Sequence, residues 1–162
     1  MDAPMKFKAG NVNVAELSAK MLKPRNEISA GSLKHTIEFA IDIDDDNKRN
    51  LKAVAAIAVE GIDKKNDEKA FSISVKMECQ YRFENEIPEN EDKKSSFVRM
   101  VCEPLYHRAS LLIEQTARDL GFSAVRLGTS FPSGDFEMID EPSDQTANSA
   151  PKKTKRKAPT KK

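Results

Sequence analysis

The chain has 162 residues, enough for one domain with a modest core, and is 38% hydrophobic and 33% charged with no tryptophan. Its 27 basic and 26 acidic residues are unevenly placed: residues 151–162 hold six Lys, one Arg and no acid, leaving residues 1–150 near −6 and the tail near +7. No run approaches the ~20 apolar residues of a membrane span, and the early acid in Met1-Asp2-Ala3-Pro4 does not fit a signal peptide, so the reading is a soluble cytoplasmic protein.

Val12, Val14, Leu17, Met21 and Leu22 mix strand and helix signals; a short strand over 11–17 with an irregular connection through Pro24 is expected. The first clear strand is 32–43. Leu33, His35, Ile37, Phe39, Ile41 and Ile43 fall on one face, and Lys34, Thr36, Glu38 and Asp42 on the other. Asp44-Asp45-Asp46-Asn47 reads as a turn, and it lacks the Gly and terminal Glu of a calcium loop. A strand over 51–62 is nearly apolar on both faces, with Val54, Ala56 and Ala58 outward, which suits a central strand or one meeting another subunit. After a polar hairpin at 61–68, the longest strand, 70–83, again alternates: Phe71, Ile73, Val75, Met77, Cys79, Tyr81 and Phe83 against Ser72, Ser74, Lys76, Glu78, Gln80 and Arg82. Short connections predict an antiparallel meander.

An acidic connection over 84–94 leads to a short helix, 97–102. Pro104, whose missing N–H costs nothing at a first helical position, then opens a longer helix to Leu120, closed by Gly121. Residues 122–140 carry Phe122, Leu127, Phe131, Phe136 and Met138 with little regular pattern. From 141 onward the composition is too polar to fold. The predicted organisation is therefore a domain over 1–140 and a disordered basic tail over 141–162.

Chemistry is thin. No phosphate loop, nucleophile elbow or metal-spaced cluster is present. Cys79 and Cys102 lack CxxC spacing and a neighbouring histidine, and His107-Arg108 reads as a helix surface pair. The expectation is no enzyme and no cofactor. The tail cations Lys152, Lys153, Lys155, Arg156 and Lys157 suit a polyanion or acidic partner, without an aromatic residue for base stacking. Nucleic acid bound through this tail is one partner to expect, and a non-chaperone sheet-and-helix binding module working that way is the alternative reading. A one-helix cover over so long a sheet leaves the segment after Gly121 and the stretch before Ser32 to finish it, or to leave an apolar groove suited to extended polypeptide.

The passage Cys102-Glu-Pro-Leu-Tyr-His-Arg-Ala-Ser-Leu-Leu-Ile-Glu-Gln-Thr-Ala-Arg-Asp-Leu-Gly-Phe, with Leu127, Phe131-Pro132 and Phe136 after it, resembles the SecB family of tetrameric chaperones. The resemblance covers roughly residues 11–140. It implies an α+β, SecB-like fold: a four-stranded antiparallel meander sheet with a short helix and one long C-terminal helix on its apolar face. It implies an ATP-independent holdase for unfolded or aggregation-prone polypeptide, assembled as a homotetramer (a dimer of dimers), serving protein transport or a toxin–antitoxin client. By analogy the peptide-binding residues are Tyr81, Phe83, Leu105, Tyr106, Leu112, Phe122, Phe131 and Phe136. Two departures stand against general export: the outer face of strand 70–83 offers Ser72, Ser74 and Lys76 in place of acids, and the tail has no Cys or His for metal.

Overall fold

A computed structural model describes residues 5–133. Five strands, β1 (Phe7–Ala9), β2 (Asn13–Met21), β3 (Gly31–Ile43), β4 (Asn50–Asp63) and β5 (Glu68–Phe83), form one antiparallel sheet, and a single helix, α1 (Ser95–Asp119), packs on it. The sheet order is β1-β5-β4-β3, with β2 also paired to β5. Thus β3, β4 and β5 make the expected meander, while the N-terminal strands join the far side of β5.

Two predicted elements differ. The four-stranded sheet has five strands because its edge strand is broken at Gly10–Val12, where Gly10 N still donates to Gln80 O at 2.8 Å. The two predicted helices are one: α1 passes through Pro104 without ending. Phe97, Val98, Val101, Cys102, Leu105, Ala109, Ile113 and Ala117 are all buried along one stripe on either side of the proline. Packing of that stripe outweighs the one intrahelical bond that Pro104 cannot make.

Alternation decides the layers. Every apolar residue from Phe71 to Phe83 at odd positions is buried, together with Leu51, Ala53, Ala55, Ile57 and Val59 of β4. The helix covers β5 and β4. Two irregular segments cover the rest. The crossover at 22–30 runs from the β5 side to β3, contains a 3-10 turn at Arg25–Glu27, and buries Ile28. Lys23 ties its start to the β4–β5 hairpin by ion pairs with buried Asp63 (3.6 Å) and with Glu68. The segment after the helix turns at Gly121, in the left-handed region at φ 93°, and returns over β3.

Candidate functional site

Where the crossover passes the C-terminal end of α1, the cover is incomplete. A cleft of about 220 Å³ opens there, walled by Ile28, Leu33, Ile62, Phe71, Phe122 and Val125, with Arg25 at its rim. Local sequence explains each wall. Phe71 follows buried Ala70 near the start of β5, and the Phe122 ring packs against it at a 40° tilt with ring centres 4.5 Å apart. Phe122 is set in place by its own N–H, which donates to Ala117 O at 2.8 Å as the helix ends. Arg25 turns its guanidinium onto Ile28 O, so the rim cation is already engaged. Apolar walls of this kind suit apolar ligands, since burial and dispersion ask for no particular partner sequence.

A second open feature lies on β2. Val14, Leu17, Met21 and Leu22 are 51%, 48%, 50% and 43% exposed, and Leu111 on α1 is 63% exposed. Val14, Leu17 and Met21 stand opposite Met77, Val75 and Phe71, and so face the helix side of the sheet. A register shift between Val14 and Glu16 puts Val14 and Leu17 on the same face despite their odd spacing. The strip is ~23 Å long at ~3.3 Å per residue. Among the described residues no strand pairs with its outer edge. A long apolar edge of this kind invites another strand or another copy.

The sequence-predicted residues divide. Tyr106 and Phe131 come together: Phe131 stacks on Phe39 at 5.0 Å and meets Tyr106 edge-on at 5.7 Å. Phe122 lines the cleft and Leu112 is half-buried. Tyr81, Phe83 and Leu105 sit inside the core and do not line the cleft. There the Tyr81 hydroxyl donates to Val101 O at 2.7 Å, and burial raises its pKa well above the ordinary tyrosine value. Phe136 and the tail cations lie outside the described residues. Sequence reading missed Ile28, Phe71 and Val125 as cleft walls: the alternation of β5 marks Phe71 equally as core, and Ile28 and Val125 lie in irregular segments that carry no periodic signal.

The outer sheet face corrects part of one argument. Of the outward residues expected to need a partner's cover, Val54 is only 8% exposed within the chain itself, Ala56 is half-buried and Ala58 is exposed. Two of the acids there are matched by lysines: Lys52 to Glu78 at 2.9 Å, and Lys69 to Glu60. A broad depression of about 870 Å³ at one end includes Lys8, Asp42, Asp44, Lys52 and Arg82, with both signs of charge mixed along it. Among the described residues no three His, Cys, Asp or Glu side chains cluster for a metal, and no helix is long and apolar enough to cross a membrane. His107 approaches Glu103 at 3.6 Å one turn back along the helix, as a surface pair.

No family model matches the chain and no curated protein matches it. Solved structures do. The Mycobacterium tuberculosis SecB-like chaperone Rv1957, in complex with a ChAD peptide from the Rv1956 HigA1 antitoxin, superposes with a TM-score of 0.61 at 10% identity, over 75% of this chain and 89% of that one. The fold is SecB-like. A Streptococcus agalactiae protein of unknown function is more distant, with a TM-score of 0.42 at 15% identity over 72% of this chain and 94% of that one. The expected fold class, an antiparallel sheet with a long helix on its apolar face, is therefore what the chain adopts. At 10% identity the likeness extends to architecture. What this SecB-like chain binds has to come from its own side chains.

Proposed function

We propose that this protein is an ATP-independent chaperone of the holdase type, which keeps extended apolar stretches of unfolded polypeptide in the cleft between the crossover and the segment after α1. One observation carries the reading: a cleft walled by Ile28, Phe71, Phe122 and Val125 on a SecB-like fold, with its one rim cation already engaged. The peptide held by the mycobacterial neighbour comes from an antitoxin, which makes an antitoxin-like partner the first client to test. Motor-dependent export fits less well, since outer-face acids such as Glu60 and Glu78 are paired to lysines.

The working form is a homotetramer built as a dimer of dimers in the cytoplasm, and the apolar strip on β2 is its first interface. Pairing β2 to its copy covers Val14, Leu17 and Met21 and satisfies the open strand edge in one step. No enzymatic step and no cofactor enter this account.

Light scattering of an aggregating unfolded protein, without ATP, tests the reading. The chain suppresses aggregation, and Val125→Asp, which places a charge on the cleft wall, weakens suppression while leaving the circular dichroism spectrum unchanged. Equal suppression by the variant would remove the cleft from the mechanism.

A further inference from the structure

Charges that stand directly opposite one another in the sheet are matched, with one exception. Glu16 faces Lys76, Lys34 faces Glu60 and Asp42 faces Lys52, and the one acidic couple, Asp63 with Glu68, is bridged by Lys23. The exception is Lys8 of β1, directly opposite Arg82 of β5. Both are exposed, and neither has an ion pair with a described residue. Like charges in that position oppose strand pairing. On its other side Arg82 meets only uncharged Asn50. The two cations line one side of the broad depression on the outer sheet face. The acids of that depression do not neutralise them. Asp42 lies on β3, two strands or ~10 Å from β5, and the Asp44 carboxylate accepts the backbone N–H groups of Asp46 at 3.0 Å and Asn47 at 3.3 Å.

We propose that Lys8 and Arg82 dock the chain's own acidic segment around Asp140, Glu141 and Asp144. Between Arg126 and Lys152 the sequence has five acids and no Lys or Arg, so this stretch carries the charge the cation couple lacks. Its length suffices. Phe131 lies against Phe39, which is in register through Ala55 with Met77, five residues before Arg82. The dock is therefore ~17 Å along the strands and ~10 Å across them, and the nine residues from Phe131 to Asp140 extend to ~30 Å. A single exposed ion pair is weak. Tethering raises the effective concentration of the segment to the order of millimolar and lets several acids engage the couple together. The docked segment carries the basic block of residues 151–162 to the outer face, on the side of the sheet away from the cleft. Tail and cleft then meet their partners independently.

Cys79 and Cys102 are buried, so Ser143→Cys in the full chain gives one reactive thiol for a nitroxide label. At low salt the nitroxide selectively broadens the amide NMR signals of residues 7–10 and 80–83. The broadening is lost in Lys8→Glu/Arg82→Glu and in Asp140→Asn/Glu141→Gln/Asp144→Asn. It returns when the reversed couple is combined with Asp140→Lys/Glu141→Lys/Asp144→Lys, and it fades at high salt. No broadening at these residues, or equal broadening in the single-sided variants, would overturn the dock. A mixture of isotope-labelled unmodified chain with unlabelled nitroxide-bearing chain tests a second copy as the occupant. Signals in that mixture stay sharp, whereas broadening as strong as within one chain would overturn docking of a chain onto itself. If Lys8→Glu/Arg82→Glu fails to fold, the neutralised tail, which leaves the domain untouched, decides alone.

Discussion

A Cβ on Gly61 would lie 2.1 Å from Cε1 of Phe71, so the ring occupies the space that any other residue there would claim. Phe71 in turn carries Phe122, and the cleft wall therefore depends on one absent methyl group. Gly61→Ala is expected to cost ~1–3 kcal/mol by overpacking, read from denaturant unfolding, and to weaken apolar peptide binding with it. Cys102 gives a second residue-scale test. Burial raises its thiol from the ordinary 9.0 to about 12. A folded pKa above the unfolded one adds stability that is complete below pH 9 and is lost as pH rises towards 12. Unfolding free energy should fall across that alkaline window, and the slope should lessen in Cys102→Ala; an equal slope in both proteins would contradict this. At this scale the sequence was legible in one respect only. Alternation told which residues of β5 are inside, but no pattern in one chain pairs Phe39 with Phe131, 92 positions apart and joined only by the return of the segment after the helix.

At the scale of elements, α1 shows how tertiary packing overrides a local signal. Pro104 read as a helix start because proline suits that position, yet ten buried residues along one helix hold the turns on both sides of it. Pro104 is exposed, so Pro104→Ala should stabilise the protein by ~1–3 kcal/mol, restoring a backbone bond without disturbing the core; no gain in denaturation midpoint would show that the proline is already accommodated. The edge strand was misjudged for a related reason. The register shift between Val14 and Glu16 breaks period-two alternation, so β2 looked like a mixture and its length was cut short. The crossover is the element whose anchoring is most exposed to mutation. Asp63→Ala removes the buried partner of Lys23, and hydrogen exchange over residues 22–30 should then accelerate, while α1 stays protected.

For the whole molecule, charge and edge together set what meets what. Residues 5–133 carry 20 acids and 20 bases, so the acid excess of the sequence lies elsewhere, chiefly at Asp135, Glu137, Asp140, Glu141 and Asp144. A neutral domain gives the basic tail no net charge to fold back on, and removing residues 151–162 is expected to abolish polyanion binding while aggregation suppression persists. The alternative reading, a module that works through its tail, predicts loss of all activity. The β2 strip makes the assembly testable in the same way. Leu17→Asp places a charge at its centre, and light scattering coupled to size exclusion should show a species of lower mass than wild type.

The account stands or falls on where an unfolded chain is held. The most direct measurement is photo-cross-linking of an extended apolar peptide carrying a central photoreactive phenylalanine, followed by mass-spectrometric mapping of the adducts on the full chain. The account predicts adducts on residues 25–33 and 122–131 and on the facing Phe39 and Tyr106. Adducts confined to the outer sheet face, around Lys52, Glu78 and Arg82, would contradict it.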